Sequence, residues 1–458
     1  MKKDGVETVN SAASAAYLNI TLERDREKAA PSLKAFCSSN FGASSKYFCY
    51  RFPAPQLGVS HHKKMKKFQK ILEGLKDKSP IPLLLENGYT PSTIKAEIIE
   101  TFKPYFKNHS NLEKYAINFL VSDWINFLRM SIKHTGIENE IKTVLDAYEQ
   151  AKTRSYENTI DVLSEMIPFH LESGNKYWSF LNLEVDKKDL EIYEFAQTSM
   201  KDISNIIEGI SKSVYVENVL INKIKRGKPV DIEKTMSNKL GNLIQDLIDY
   251  SDYSSIFIVP KENLKLSDWR NIGAHHTYSI IDNKIHCESG EGARKVTFEI
   301  GRDELFERVN YCMRTTEILN MAHKIFGFDN LPEISKRIDK DKSNARPEIG
   351  FLMFSSALMS QGFEIQNINY DSENASLELF DLTQDNPRDR GIHSSQLLNQ
   401  LWLLTNSKSL EIKYFKNDGD LYLTSSVGGE IFEKMEKDDK NEVSYFAENV
   451  NFKLESGG

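Results

Sequence analysis

Within the stretch LKLSDWRNIGAHHTY, Arg270 is followed at once by Asn271, and two adjacent imidazoles, His275 and His276, come a turn later. A guanidinium fork, an amide and two imidazoles so close together are the groups needed to hold a phosphodiester and move a proton. Asn271 and His275 are four apart and share one face if the stretch is helical, while Arg270 lies one position off that face and can reach round to it. Trp269 and Ile272 point elsewhere and can seat the turn in a core. The plainer reading is a helix start with a polar cap, since Ser267 and Asp268 are good capping residues.

The elements around this stretch are mainly helical. Residues 1–60 are irregular, with aromatics from Phe41 to Phe52 stopped by Pro53 and Pro55, and fit either a strand and loop or an arm reaching a neighbour. Residues 61–170 form a helical domain that opens on a lysine-rich amphipathic helix, in which Lys63, Lys64, Lys66 and Lys67 are candidate RNA-backbone contacts. A small helix, a turn at Asn87-Gly88 and a second helix begun by Thr90-Pro91-Ser92 follow. The pattern loosens between Pro168 and Lys188, marking a boundary, and residues 188–330 form a second helical block. Its first helix is long and kinked near Gly209, 251–265 is a linker, and 278–301 is a hairpin closed by the loop SGEGAR. A final helix from Gly301-Asp303 locks the motif in place.

A charged linker at 333–347 leads to an α+β domain at 346–452, and the run EKMEKDDKNE reads as a solvated tail. His109, His134 and His170 are placed at helix ends or in links, and His286 and His323 are assigned structural roles. The fold class is therefore mainly α with a smaller α+β C-terminal domain.

Arg270-Asn271, three residues ending in Ala274, His275, then a tyrosine and a strand-like stretch resemble the signature of the HEPN family of helical bundles. The resemblance covers roughly Leu190 to Phe326. It implies a central HEPN-like helical bundle and a metal-independent endoribonuclease, with Arg270, Asn271 and His275 catalytic and no metal or other cofactor. It also implies two protomers meeting at one site, so RNA and a second copy of the chain are the expected partners, with a phage-derived trigger or a cognate antitoxin as controlling partner. His276 and Tyr278 are the auxiliary candidates. Some family members carry a regulatory tyrosine two positions after the histidine; here that position is Thr277 and the tyrosine is Tyr278. The reading is a toxin or abortive-infection effector, and its rival is a non-catalytic HEPN scaffold or sensing module.

Composition sets the outer limits. The chain has 458 residues and a formal charge of −7, so RNA must be held by a local basic patch rather than a general field. The four cysteines show no metal or disulfide spacing, which fits a reducing cytoplasm. No stretch reaches the length of an apolar membrane span, and neither a signal peptide nor a membrane partner is expected. Gly-rich phosphate loops, HExxH, CxxC and nucleophile elbows are missing from the sequence.

Overall fold

Apolar residues recurring at three- and four-residue spacing become helices through most of the chain. The computed structural model describes residues 81–182, 187, 189–338, 347–438 and 442–455. The N-terminal arm, Lys63, Lys64, Lys66 and Lys67, and most of the charged linker lie outside the described residues.

The helical part comprises α1 (Ile81–Glu86), α2 (Pro91–Phe102), α3 (Val121–Lys133), α4 (Ile137–Arg154), α5 (Tyr156–Asn182), α6 (Ile192–Ser204), α7 (Lys212–Lys225), α8 (Ile232–Met236), α9 (Leu240–Tyr250), α10 (Leu266–His275), α11 (Arg302–Asp329) and α12 (Leu331–Ile334). Thr90 caps α2, its side chain accepting from the Thr93 amide, with Pro91 at the first helical position, where its missing N–H costs nothing. The sequence boundary between residues 170 and 188 is crossed by α5, which continues through Pro168 and past Gly174 to Asn182. Helices from both expected domains share one hydrophobic core, running from Ile81 through Tyr148 and Met166 to Leu220, Trp269 and Phe326. The loosened pattern reflects partial burial of one long helix.

At the centre is α7. Its residues Ser213 to Asn222 are all buried, because α4, α5, α9 and α11 pack around it. A helix so enclosed is normally apolar all round, yet this one carries Glu217, Asn218 and Asn222. The kink expected near Gly209 is a π-helical turn, Asn205–Ile210, between α6 and α7. The Ser211 amide reaches back five residues to the Ile206 carbonyl at 2.9 Å. The wider turn re-phases α7 relative to α6.

The linker expected at 251–265 contains a short β-pair, β1 (Ile258–Val259) with β2 (Leu264–Lys265). The single strand expected from Tyr278 onward is itself a hairpin. In it, β3 (Tyr278–Ile281) turns through Asp282 and Asn283, both at positive φ, into β4 (Lys284–Ser289), which then pairs with β5 (Val296–Ile300). Two consecutive left-handed residues suit a tight two-residue turn, and Asp and Asn tolerate that region.

The C-terminal part is α13 (Pro347–Ser360), β6 (Phe363–Tyr370), β7 (Asn374–Asp381), α14 (Pro387–Ser395), α15 (Leu398–Thr405), β8 (Ser409–Phe415), β9 (Leu421–Gly428), α16 (Gly429–Asp438), α17 (Glu442–Asn449) and β10 (Asn451–Leu454). The sheet order is β10-β9-β8-β7-β6. Only β7 and β8 run parallel, so α14 and α15 form the crossover such a pair requires. Asp381, on the buried face, pairs with Arg390 (Nε to Oδ2 3.0 Å) and accepts the Tyr414 hydroxyl at 2.7 Å. The run expected to be a solvated tail instead spans the end of α16 and the start of α17, after which β10 pairs with β9. The apolar stripe of Ile431, Phe432, Met435 and Phe446 explains this, since it packs the acidic helices onto the domain. The fold is thus mainly helical, with a smaller mixed α/β region at the C-terminal end. Among the described residues no helix is long and apolar enough to cross a membrane.

Two glycines test the packing around α10. A Cβ on Gly273 would lie 2.4 Å from the Met200 carbonyl and 2.6 Å from Ser204 Oγ, both on α6, whereas one on Gly241 in α9 meets nothing within 4 Å. Gly273→Ala should destabilise the protein by ~1–3 kcal/mol, as overpacking does. Gly241→Ala should be neutral or stabilising by up to ~1 kcal/mol. Chemical denaturation of both variants measures the difference, and equal midpoints would contradict the close approach of α10 to α6.

Candidate functional site at the end of helix α10

Helix α10 is fixed on three sides before its polar end is considered. Trp269 and Ile272 are fully buried, and the Trp269 ring meets Phe298 of β5 edge-on at 5.5 Å. Gly273 brings the helix against α6. Ser204 Oγ donates to the Arg270 carbonyl at 3.3 Å. The expected caps act differently: Ser267 is buried inside the first turn, and Asp268 Oδ2 accepts from the Lys265 amide at 3.0 Å, one half of a capping box.

The helix ends at His276, which is in the left-handed region with φ of 53°. Its amide and that of Thr277 (3.2 Å) both return to the Ile272 carbonyl, and Thr277 Oγ1 donates to the Glu288 carbonyl at 2.7 Å. Such an exit usually falls to glycine. The bend separates the two histidines. His275 is the last helical residue and exposed, while His276 is carried towards Tyr278, with ring centroids 6.1 Å apart. Tyr278 is half-buried at the start of β3 and its hydroxyl is pushed up by burial.

Arg270 and Asn271 are brought together: Nη1 donates to Asn271 Oδ1 at 3.1 Å. The guanidinium also meets a residue that sequence reasoning missed. Glu208, on the π-helical turn, accepts from Arg270 Nε at 2.8 Å and from Nη2, both through Oε2. Asn271 and His275 are exposed, and the Arg270 side chain is 22% and that of Glu208 46% exposed. The four groups line the open side of α10, and nothing seals them in the core. Chemically, this is a guanidinium preset by a carboxylate and an amide, on the same helix as an exposed imidazole.

A second constellation lies inside the bundle. Glu217 of α7 is fully buried, its Oε2 2.6 Å from His170 Nε2 on α5 and its Oε1 2.8 Å from His323 Nδ1 on α11. Tyr148 of α4 donates to the same Oε1 at 2.5 Å. The two imidazoles meet at a tilt of 37°, with centroids 4.3 Å apart. Burial opposes ionisation of Glu217, but His323 and His170 outweigh it and hold its carboxyl well below the usual range. His170 is pushed down, by burial first and by His323 second, against the pull of Glu217. The expected placing of His170 at a helix end is therefore corrected: it sits within α5, because that helix does not stop at Pro168. These residues lie on separate helices, so no spacing in the sequence joins them. The available signal was a run of apolar residues, VYVENVLIN, interrupted by Glu217, Asn218 and Asn222. His286 is in β4, where its Nδ1 is 3.3 Å from Glu299. Cys287 and Cys312 are buried free thiols.

A half-buried carboxyl also departs from the ordinary. Glu317 on α11 is pushed up to about 7, by burial first and then by Asp123 on α3, against the pull of Lys324 and Arg129. The folded chain holds this proton to higher pH than the unfolded one, whose glutamates titrate near 4.5. Its contribution therefore costs nothing at low pH and erodes stability as pH rises through that window. Glu317→Gln should leave stability unchanged near pH 4 and raise it by ~1–3 kcal/mol at pH 8. Denaturation midpoints at the two pH values check this, and a gain equal at both would refute it.

No protein-family model, curated protein or solved structure matches the chain.

Proposed function

We propose that the chain is a metal-independent endoribonuclease of HEPN-like architecture, acting through Arg270, Asn271 and His275. The observation that supports this best is the placement of all three on the open side of one helix whose other faces are locked by Trp269, Ile272 and Gly273. In the proposed reaction an RNA 2′-hydroxyl attacks the adjacent phosphorus and loses its proton to a base. The bond to the 5′-oxygen breaks and that oxygen takes a proton, leaving 2′,3′-cyclic phosphate and 5′-hydroxyl ends. His275 takes one proton-transfer role, Arg270 binds the phosphate oxygens, and Asn271 orients the guanidinium through its 3.1 Å contact. Glu208 holds the fork in place until a phosphate competes for it. His276, turned towards Tyr278, is the auxiliary candidate.

One exposed histidine cannot serve as both base and acid in a single step, so the second role is assigned to the same segment of another copy. Two-fold packing would place both patches face to face and set two guanidinium groups around one phosphate, which a chain with a formal charge of −7 needs in order to hold RNA. The regions flanking this bundle would then govern access. On this reading the biological setting is a toxin or anti-phage effector in the cytoplasm, released by a phage-derived trigger or a cognate antitoxin. The rival, a non-catalytic scaffold or sensing module, is favoured by the carboxylate already neutralising Arg270.

Purified protein incubated with total RNA in excess chelator, with its fold verified by circular dichroism in the same buffer, tests the chemistry. His275→Ala should abolish cleavage while moving the thermal midpoint little, since the side chain is exposed. Arg270→Lys should lose at least ~100-fold, because an ammonium cannot reproduce a bidentate fork. Glu208→Gln breaks a partly exposed ion pair worth at most ~1 kcal/mol, so it should alter cleavage far more than stability. A folded wild type that cleaves nothing would favour the scaffold, and cleavage that survives both His275→Ala and Arg270→Lys would remove these residues from the reaction. Expression of the wild type, but not of His275→Ala, should arrest bacterial growth.

Assembly is checked separately. Light scattering at micromolar concentration should give about twice the 52.5 kDa chain mass. A strict monomer that cleaves RNA would overturn the shared site.

A further inference from the structure

The buried trio of His170, Glu217 and His323 has no part in the proposed reaction, and its construction poses a question of its own. The ligand-type atoms of the three side chains all lie within 4.8 Å of one another. They come from α5, α7 and α11, so three helices converge on one point. A fully buried carboxylate needs a positive partner, because the cost of holding an unpaired anion away from water is several kcal/mol. Among the described residues no lysine or arginine is bonded to Glu217; its partners there are Tyr148, His170 and His323. Two imidazoles 4.3 Å apart cannot both carry a proton cheaply. The positive charge must therefore be one shared proton or a cation held by nitrogen and oxygen donors.

We propose that the trio is a binding site for a divalent transition metal of the zinc type, held by His170 Nε2, His323 Nδ1 and the Glu217 carboxylate. Two neutral imidazoles and one carboxylate are a donor set suited to zinc and its neighbours, and three protein ligands leave a further position for water. The surroundings are those of a supported ligand set. Ser213 Oγ is 3.3 Å from His170 Nδ1, the nitrogen that does not face Glu217, and is itself 2.8 Å from Ser173 Oγ. Such a contact fixes the ring and frees the other nitrogen for a metal. Tyr148 does the same for the carboxylate, and Asn218 Nδ2 in turn reaches the Tyr148 hydroxyl at 3.4 Å.

Entry is through His323, whose side chain is 20% exposed, while that of Glu217 is fully enclosed. The present N···O contacts of 2.6 and 2.8 Å are hydrogen-bond distances. Bonds of about 2.0–2.2 Å at near-tetrahedral angles put donors roughly 3.3 Å apart, so uptake must open the contacts by roughly 0.5 to 0.7 Å. Small rotations of the two imidazoles suffice; as the metal enters, the shared proton is released and each neutral imidazole keeps its remaining proton on the nitrogen facing away from the metal. The bound ion would tie α5, α7 and α11 together at the centre of the bundle.

The test uses the full-length protein, stripped with chelator and titrated with Zn²⁺ by calorimetry and with Co²⁺ by absorption spectroscopy. About one equivalent per chain should bind, the thermal midpoint should rise by several degrees, and Co²⁺ should give visible bands of a low-coordinate nitrogen and oxygen site. Glu217→Gln and His323→Ala should each lower the affinity at least ~100-fold. A variant replacing both His61 and His62, a vicinal pair that could bind metal on its own, should keep the full equivalent. If the ligand variants fail to fold, X-ray absorption of the zinc-loaded wild type decides: two imidazoles with oxygen donors are expected, and sulfur ligation would overturn the assignment. So would a stripped wild type that takes up no metal, or one whose equivalent survives His323→Ala. Either result would identify the trio as a proton-sharing cluster, and neither bears on RNA cleavage at Arg270 and His275.

Discussion

A carboxylate at zero exposure in the middle of a helical bundle constrains everything packed around it. Glu217 lies on α7, which is enclosed by α4, α5, α9 and α11. The fold is stable only if those helices deliver polar partners to it. Tyr148 comes from α4, His170 from α5 and His323 from α11. The neighbouring polar groups follow the same rule. Asn218 accepts the Tyr253 hydroxyl at 2.7 Å, and Asn222 donates to Tyr253 at 2.8 Å. An apolar helix in this position could slide or rotate at little cost. With these contacts its register is fixed, since a shift of one residue would leave a buried charge without partners.

The constraint reaches the surface through the π-helical turn. Helices α6 and α7 follow one another through the π-helical turn and the bend at Ser211, and the wide turn lets the two halves present different faces. On the α7 side Glu217 points into the core. On the turn itself Glu208 reaches the guanidinium of Arg270. Ser211, at the junction, bonds Thr316 of α11 at 2.5 Å and tethers the turn to the long final helix. The motif helix α10 rests on α6, with Gly273 permitting an approach that a side chain would block. The position of Arg270 is thus set jointly by the π-turn, the glycine contact and the wedge of Trp269 under β5.

Much of the local structure was legible in the sequence because it depends on neighbours along the chain. Thr90-Pro91 starts a helix, a break falls at Gly209, and the pair Trp269 and Ile272 faces the core, all from residue chemistry within a turn or two. The readings that failed have two causes. The division at 170–188 and the solvated tail were drawn from stretches whose pattern weakened, and the single strand after Tyr278 from an alternation that runs on through the Asp282-Asn283 turn. A half-buried helix such as α5 has a weak pattern because part of each face meets solvent. The edge strand β10 has an equally weak one because its side chains are exposed, and only hydrogen bonds to β9 hold it in place.

What the sequence determined by itself was the helical character of the chain, the mixed α/β region after residue 346, and the placing of Asn271 and His275 on one helical face. Those follow from periodicity and from the fixed geometry of a helical turn. The tertiary structure alone decided that Arg270 is held by Glu208, that His276 is turned away from His275 by a left-handed residue, and that His170 and His323 meet at Glu217. The physical reason is the distance along the chain. His170 and His323 lie 47 and 106 positions from Glu217, and Arg270 lies 62 from Glu208. Only the packing of a shared core can place such groups within hydrogen-bond reach, and no local pattern records where a helix will be buried on every side.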